Sequence, residues 1–228
     1  MEIKVIDWEL IPYAQAYDRQ KTHFDEAVQR KMNRQTVENR FILCEHPHVI
    51  TLGKNALQAN LLFPEKILKE KQVELYQTDR GGDITYHGPG QIVGYPILDL
   101  EVFHIGIKEY IYRLEEVVIR TISNYGITGE RLDGATGVWI DTNIPRKARK
   151  IAAIGVRCSR YITMHGFALN VNTNLNYFQL INPCGFTDKG VTSIQKETGA
   201  NIEIAEIKTT ITEEFRTLFT LKKQTINH

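Results

Sequence analysis

The sequence predicts an α+β fold in which a single domain carries a mixed β-sheet flanked by helices. Segments with the apolar patterns of strands follow one another in clusters, and helical patterns are interspersed among these clusters without alternating strictly with each strand. A length of 228 residues, with 42% hydrophobic and 24% charged residues, suits one globular domain with a substantial core. We therefore expect residues 1–228 to form one domain.

The first part of the chain predicts a strand, a helix and two further strands. Apolar residues alternate with polar ones in Ile3–Trp8, as in a half-buried strand. The strands Arg40–Glu45 and Val49–Gly53 are separated at Pro47, which cannot donate a hydrogen bond to a sheet. Between the first and second strands a helix is predicted, and its apolar face consists of Tyr13, Tyr17, Phe24, Ala27 and Val28.

The middle of the chain predicts a short helix near Pro64–Lys71, a strand at Val73–Gln77 and another strand at Gln91–Leu98. Between these two strands lies Arg80–Gln91, with the sequence RGGDITYHGPGQ, which holds four of the chain's 16 glycines. Glycine adopts positive φ and lets another molecule approach the backbone closely. The segment is therefore interpreted as a loop that forms either a pocket wall or a tight hairpin connection.

The last part begins with the clearest helix of the sequence. Its apolar residues recur every three or four positions, and Gly126 stands where a helix stop is expected. Three strands follow, at Gly137–Asp141, Lys150–Arg157 and His165–Val171, and then a final helix. The apolar faces of the two helices consist of Ile107, Tyr110, Ile111, Leu114, Val118 and Ile122, and of Ile207, Ile211, Phe215 and Leu218.

Charge and cysteine usage narrow the class of protein. Lys and Arg exceed Asp and Glu by 28 − 27 = 1, so no global field attracts nucleic acid or anionic lipid. Three widely spaced cysteines form neither a disulfide framework nor a metal-binding pair. The sequence shows no secretory signal and no apolar run of about 20 residues that could span a membrane. These features predict a cytoplasmic protein without nucleic-acid or membrane partners.

Cys184 is the candidate nucleophile. It stands between Pro183 and Gly185, which favour a fixed, exposed turn, whereas Cys44 and Cys158 lie in strand patterns and are expected to be buried and inert. A thiol becomes a strong nucleophile when a neighbouring base or cation promotes its ionisation. His87, His165 and Lys150 are the candidates for that partner: the residues alone leave the choice open.

Several catalytic motifs are absent from the sequence. It contains no GxxxxGK[ST] phosphate loop, no GxSxG nucleophile elbow, no HExxH zinc motif and no strand-leading GxGxxG. We therefore expect neither a nucleotide cofactor nor a catalytic metal.

Seven sequence motifs in order resemble those of the lipoyl(octanoyl) transferases, which transfer octanoyl groups from acyl carrier protein to other proteins. The resemblance runs from about residue 40 to residue 195, and RGGxxTYHGPGQ, KIAAIG and PCG occurring together are highly specific. The motifs are Glu45–Gly53, Arg80–Gln91, Gly94–Ile97, Gly137–Trp139, Lys150–Gly155, His165–Asn170 and Asn182–Gly185.

The resemblance implies an enzyme of lipoate biosynthesis. Such acyltransferases move octanoyl from octanoyl-acyl carrier protein to a lysine of lipoyl domains in 2-oxoacid dehydrogenase E2 subunits and in the glycine cleavage H protein. By similarity, Cys184 would carry the octanoyl group as a thioester, and Lys150 would lower the pKa of its thiol. The fold would resemble the catalytic domains of biotin and lipoate protein ligases. The residues that the resemblance places against the acyl group are Arg80, Gly81, Gly82, Asp83, Ile84, Thr85, Tyr86, His87, Ala153, Ile154, Gly155, Gly166, Phe167 and Ala168.

Four alternatives remain. An ATP-dependent lipoate or octanoate ligase of the same fold would activate the free acid and would not need Cys184, and an amidotransferase would pass octanoyl between two lipoyl domains. A metal hydrolase would use His46, His48 and His165, although their spacing matches no known ligand pattern. The last is a catalytically inactive module that binds carrier proteins.

Overall fold

The computed structural model describes residues 2–182 and 189–220. The strands of these residues are β1 (Ile3–Leu10), β2 (Asn39–Glu45), β3 (Val49–Leu52), β4 (Glu74–Gln77), β5 (Ile84–His87), β6 (Gln91–Ile97), β7 (Val138–Ile140), β8 (Arg149–Ser159), β9 (Ile162–Asn170) and β10 (Gly190–Val191). The helices are α1 (Tyr13–Met32), α2 (Glu65–Glu70), α3 (Ile107–Ser123), α4 (Ile194–Thr198) and α5 (Ile204–Phe219). Gln58–Asn60 and Leu175–Leu180 form short 3₁₀ helices.

The strands form two sheets. The larger has the order β1-β2-β6-β9-β8-β10, with β7 also paired to β8, and the smaller has the order β4-β3-β5. In the larger sheet β1 with β2 and β8 with β10 are parallel, and the other pairs are antiparallel. The predicted mixed sheet and the α+β class are confirmed. The second sheet was not predicted: the chain leaves the larger sheet after β2, at His46–Pro47, and β3 then pairs elsewhere.

Helices cover both faces of the larger sheet. The alternation of β2 shows this arrangement: Phe41 and Leu43 join the cluster that contains α3 and α5, whereas Ile42 and Cys44 join the cluster that contains α1. The predicted apolar faces of α3 and α5 are confirmed for the residues from Tyr110 to Ile122 and from Ile207 to Leu218, which are buried in that first core or packed against it, whereas Ile107 is exposed. Among the described helices, none is long and apolar enough to cross a membrane.

The glycine-rich segment Arg80–Gln91 is not a loop throughout, because β5 lies inside it. Ile84 and Tyr86 are buried in the core of the smaller sheet, and Tyr86 pairs with Ile50 of β3. Glycines flank Ile84–His87 on both sides, so the composition of the segment indicates a loop although these four residues alternate as in a strand. The predicted loop is therefore two short turns, before and after a strand.

Two other expectations need correction. Cys44 is fully buried, as predicted, but Cys158 is exposed, because β8 emerges from the core there and turns at Arg160 and Tyr161, both with positive φ. The strand predicted from His165 begins earlier, at Ile162. The short elements β10 and α4 had no sequence signal strong enough to predict them.

Candidate active site

A cavity of about 570 Å³ lies where the two sheets meet. The glycine-rich segment, β8 and β9 form its walls, and Ile107 and Ile111 of α3 contribute apolar side chains. The predicted binding residues that line it are Arg80, Gly81, Gly82, Asp83, Ile84, Thr85, His87, Ala153, Ile154, Gly155, Gly166, Phe167 and Ala168. The fold thus brings the segment Arg80–His87 against the consecutive strands β8 and β9, which lie far from it in the sequence.

The turn before β5, residues 80–83, is called the glycine turn and is held on two sides by backbone hydrogen bonds. The N–H of Gly81 donates to the carbonyl of Val156 in β8 at 3.0 Å, and the N–H of Lys54 donates to the carbonyl of Arg80 at 3.0 Å. The turn can lie this close to Gly155 of β8 and to Gly53 only because neither residue has a side chain. A Cβ on Gly155 would lie 2.8 Å from the Gly81 carbonyl oxygen, and one on Gly53 would lie 2.3 Å from that of Gly82.

Arg80 is a buried part of the cavity wall. Its guanidinium donates to the Thr51 carbonyl at 2.8 Å, to the Thr51 hydroxyl at 3.0 Å and to the Gly81 carbonyl at 3.1 Å. These bonds connect the smaller sheet to the glycine turn. Arg80 therefore stabilises the shape of the wall, and it also contributes a positive charge to the cavity.

The buried histidines His46 and His87 lie with their ring centroids 5.8 Å apart, and His87 lines the cavity. His87, whose Nδ1 lies 2.8 Å from Oε1 of Gln91, has its pKa lowered to about 3, mainly by burial and also by His46. His46 bonds the Ile11 carbonyl and the Tyr95 hydroxyl, each at 2.7 Å, and burial lowers its pKa to about 4. Both imidazoles are consequently neutral at pH 7.

His165 is paired with an acidic side chain. Its Nε2 lies 2.8 Å from Oδ1 of Asp79, whose other oxygen bonds Arg157. The hydrogen bond from His165, followed by the charges of His165 and Arg157, lowers the pKa of Asp79 to about 2. His165 is thereby oriented by Asp79 at the cavity wall.

Tyr86 is the one described binding candidate that does not line this cavity. Its hydroxyl lies 2.7 Å from Nδ1 of His48, and its ring stacks on Tyr177 with centroids 5.2 Å apart. His48 also stacks on Tyr177, at 4.1 Å. This aromatic cluster supports the 3₁₀ helix Leu175–Leu180 against the smaller sheet.

The histidines of the metal-hydrolase alternative have separate partners. His46 bonds Ile11 and Tyr95, His48 bonds Tyr86, and His165 bonds Asp79. Within residues 2–182 and 189–220, no group of three or more His, Cys, Asp or Glu side chains could hold a metal ion. This alternative therefore has no support from the geometry.

Lys150 lies in β8 and lines the cavity. Its Nζ donates to the Thr136 carbonyl at 3.1 Å and lies 4.6 Å from the centroid of the Trp139 ring. An ammonium group over an indole face is stabilised by the ring quadrupole. Lys150 also lines a second cavity, of about 430 Å³, together with Asn182 and Lys189.

Cys184 lies outside the described residues. Asn182 and Lys189, the described residues nearest to it on either side, both line the second cavity with Lys150.

Two groups of site residues were missed by the sequence interpretation. Ile107 and Ile111 were assigned only to the core face of α3, because an apolar residue that lines a cavity has the same pattern as one that packs in a core. Thr136 contributes its backbone carbonyl, which no side-chain motif reveals. Gly137 was noted in the motif before Trp139, but its positive φ of 129° becomes visible only in the structure.

Taken together, the site can accept an apolar chain beside an amine. Ile111, Ile154 and Phe167 supply apolar surface, and Lys150 supplies a cation that can stabilise an anion or transfer a proton. The tightly held glycine turn brings backbone groups to the same wall.

Comparisons with known proteins agree with this geometry. Residues 19–216 match the family model described as the lipoyl protein ligase A/B catalytic domain. The chain is 54% identical over 226 residues to an octanoyltransferase of Bacteroides thetaiotaomicron, with 99% of each chain covered.

Solved structures show the same fold. A bipartite lipoate protein ligase of the archaeon Thermoplasma acidophilum superimposes with a TM-score of 0.71 at 14% identity, covering 96% of this chain and 84% of that one. A biotin protein ligase of Aquifex aeolicus gives a TM-score of 0.51 at 11% identity, covering 96% and 69%. The expected likeness to biotin and lipoate ligases is confirmed. The chain belongs to the lipoyl protein ligase A/B catalytic domain family and, within it, to the octanoyltransferases, which are acyltransferases of lipoate biosynthesis.

Proposed function

We propose that this protein transfers an octanoyl group from octanoyl-acyl carrier protein to a lysine of a lipoyl domain, through a thioester on Cys184. The observation that carries the proposal is the cavity between the two sheets, which is lined by Lys150 and by all the predicted acyl-binding residues except Tyr86. The family membership supports the same reaction. A cytoplasmic location is part of the proposal.

The chemistry needs no nucleotide. The Cys184 thiolate attacks the donor thioester: the carbon–sulfur bond to Cys184 forms, the bond to the carrier sulfur breaks, and the carrier thiolate takes a proton from the Lys150 ammonium. The lysine amine of the acceptor then attacks the enzyme thioester: the amide bond forms, the bond to the Cys184 sulfur breaks, and the proton lost by the amine passes to Lys150, which restores the pair of thiolate and ammonium. A thiol suits both steps, because it is a strong nucleophile and a good leaving group.

Lys150 has two roles in this proposal. As an ammonium it stabilises the Cys184 thiolate and lowers the pKa of that thiol. In the second step it handles the proton of the attacking lysine. The hydrogen bond to Thr136 and the Trp139 ring restrict where the amine can lie.

Backbone N–H groups of the glycine turn are candidates to stabilise the tetrahedral oxyanion. The N–H of Gly81 already donates to the Val156 carbonyl. Gly155 lies within β8, in register with Gly166 of β9, so we assign this role to Gly82, which lines the cavity. Loss of one such donor typically lowers the rate about 100-fold to 1000-fold.

Acidic carrier proteins are the proposed partners. Arg146 and Lys147 are exposed in the connection between β7 and β8, whereas the neighbouring Arg149 pairs with Asp141 and Glu197. The two exposed cations can attract the acidic surface of a carrier or of a lipoyl domain. E2 lipoyl domains and the glycine cleavage H protein are the expected acceptors.

The adduct experiment tests the reaction directly. The protein is incubated with octanoyl-acyl carrier protein, without ATP or metal, and analysed by intact-protein and peptide mass spectrometry. We expect an octanoyl adduct on Cys184 that is discharged when a lipoyl domain is added. An adduct at another residue, or a strict requirement for ATP, would reject this mechanism and favour a ligase.

Substitution of the two candidate catalytic residues separates their roles. Cys184→Ala should abolish transfer and leave the far-ultraviolet circular dichroism spectrum unchanged. Lys150→Ala should slow acylation and shift its pH profile upward, because the thiol then ionises at higher pH. If Lys150→Ala acylates at the wild-type rate across the whole pH range, Lys150 has no part in the mechanism.

A further inference from the structure

The carbonyl that binds Lys150 belongs to a backbone turn with an unusual conformation. Thr136 accepts the hydrogen bond from Nζ of Lys150, and the next residue, Gly137, has a φ of +129°. A Cβ on Gly137 would lie 2.6 Å from the Ala152 carbonyl oxygen and 3.3 Å from Cε of Lys150. The turn therefore packs against both the backbone of β8 and the lysine side chain, and only glycine fits there.

A side chain from α3 holds this turn. Oε1 of Glu115 accepts the N–H of Gly137 at 3.0 Å, and Oε2 accepts from Nε of Arg131 at 3.1 Å. Glu115 is buried, with 8% of its surface exposed. A carboxylate in such a place is stabilised by its hydrogen bonds to backbone N–H and guanidinium groups.

We propose that Glu115 is a positioning residue for Lys150. By fixing the N–H of Gly137, its carboxylate fixes the peptide group between Thr136 and Gly137, whose carbonyl orients the Lys150 amine. The effect of Glu115 on activity rests on the octanoyl transfer proposed above, whereas its effect on the position of the Lys150 amine does not. Glu115 acts through Thr136 and Gly137, and it is assigned no contact with substrate.

Glu115 and Lys150 are connected through one peptide group, the one between Thr136 and Gly137. The carbonyl of Thr136 and the N–H of Gly137 belong to the same planar unit, so they turn together. Loss of the Glu115 acceptor leaves a buried N–H without that partner, and rotation of the peptide to find another one moves the carbonyl away from Lys150. The Lys150 amine then loses an orienting contact although its own side chain is unchanged.

Glu116 provides a matched control on the same helix. Its carboxylate pairs with Nη2 of Arg131 at 2.8 Å and with Arg120 at 2.9 Å. It thus shares Arg131 with Glu115, whereas the N–H of Gly137 is bonded to Glu115. A comparison of the two positions separates the general effect of a lost ion pair from the specific effect on the turn.

The first measurement is single-turnover acylation by octanoyl-acyl carrier protein as a function of pH. Glu115→Ala should lower the rate about 10-fold to 100-fold, the range set by a hydrogen bond to a charged group, and should move the pH profile toward that of Lys150→Ala. Glu115→Gln keeps an acceptor oxygen for Gly137 and should remain within about 5-fold of wild type, while Glu116→Ala should remain within about 2-fold.

The second measurement needs no activity. The ¹³Cε–¹H signal of Lys150, assigned from its absence in Lys150→Arg, senses the ring current of Trp139. It should move toward the position of an exposed lysine in Glu115→Ala but stay in place in Glu116→Ala. Circular dichroism and the melting temperature verify that each variant is folded.

The outcomes are distinct. A wild-type rate and signal in folded Glu115→Ala overturn the inference, and so does Glu115→Gln with the same loss of signal as Glu115→Ala. If the wild-type protein fails to accept octanoyl, the proposed function fails, but the shift of the Lys150 signal still decides whether Glu115 positions the amine.

Discussion

Single glycines determine how closely the glycine turn approaches β8. At Gly155 the obstacle to a larger residue is the backbone carbonyl of Gly81, 2.8 Å from the position of a Cβ, and a backbone atom cannot rotate away as a side chain can. The same turn is tied to β8 by the hydrogen bond from Gly81 to Val156. The shape of the cavity wall thus depends on the absence of a side chain at Gly155.

Gly155→Ala tests this dependence. Overpacking against the Gly81 carbonyl should lower the free energy of unfolding by about 1–3 kcal/mol and should expose the Gly81 amide to faster hydrogen exchange. Urea unfolding and amide exchange measure the two effects. Gly190→Ala is the matched control, since its Cβ would lie at an ordinary 3.6 Å from Arg149, and should change stability by less than about 0.5 kcal/mol. Equal stabilities of the two variants would contradict the argument.

At the scale of elements, Asp83 joins three segments of the chain. Its carboxylate accepts the N–H of Leu57 at 3.2 Å and the side-chain amide of Asn60, and the carbonyl of Asn60 accepts the N–H of Asn182 at 2.8 Å. Leu61 and Ile181 add an antiparallel bridge. The turn before β5 is thereby connected to Ile181 and Asn182, which follow the 3₁₀ helix Leu175–Leu180.

Asp83→Ala should loosen this connection. Loss of two hydrogen bonds to a carboxylate should cost roughly 1–3 kcal/mol of unfolding free energy, and the amides of Leu57 and Asn182 should exchange faster. Exchange measured by NMR or mass spectrometry identifies the affected segment. Asp133→Ala, at an exposed position, is the control and should leave both amides unchanged. Unaltered exchange at Leu57 in Asp83→Ala would show that the carboxylate does not hold the segment.

At the scale of the whole molecule, the buried neutral histidines His46 and His87 connect stability to pH. The pKa values of His46 and His87 fall from 6.5 to about 4 and about 3, mainly because burial disfavours the imidazolium. Below pH 6.5 the unfolded chain takes up protons at both residues, while the folded chain stays neutral there. Their contribution to stability is therefore complete above pH 6.5 and is lost progressively as the pH falls toward 4.

The free energy of unfolding should consequently decrease between pH 6.5 and pH 4. Each histidine contributes a slope of about 1.4 kcal/mol per pH unit once its unfolded form is protonated, so the two together give up to about 2.7. Urea unfolding at half-unit pH intervals measures the slope. His87→Gln should reduce it by about one proton, whereas His104→Gln, which removes an exposed imidazole, should not. An identical slope in His87→Gln would contradict the assignment.

The spacing of apolar residues made most of the helices and strands predictable. The features that it did not predict depend on contacts between residues that are distant in the sequence. The faces of α3 and α5 follow from the spacing of apolar residues, because one stripe of each helix packs on the larger sheet. The division into two sheets does not follow from such patterns, since β3 finds its partners only after the chain bends at His46–Pro47. Likewise, Ile84–His87 has the alternation of a strand, but the glycines around it resemble a loop.

The candidate site was likewise predictable from sequence motifs only in part. Motifs identified the glycine turn, β8 and β9, and the fold gathers them around one cavity. The role of Glu115 could not be predicted, because an acidic residue on an amphipathic helix normally faces water. Its partner is a backbone N–H 22 positions along the chain, and no pattern of side chains encodes such a contact.

The backbone of Lys150 is fixed on both edges of β8, since Lys150 is in register with Trp139 of β7 and with Val191 of β10. The backbone of Lys150 is therefore held in place, and its amine can change position only by rotation of side-chain bonds, over a few ångströms. In the reaction that we propose, the donor and acceptor proteins would consequently dock in turn at the same opening of the cavity and compete for it.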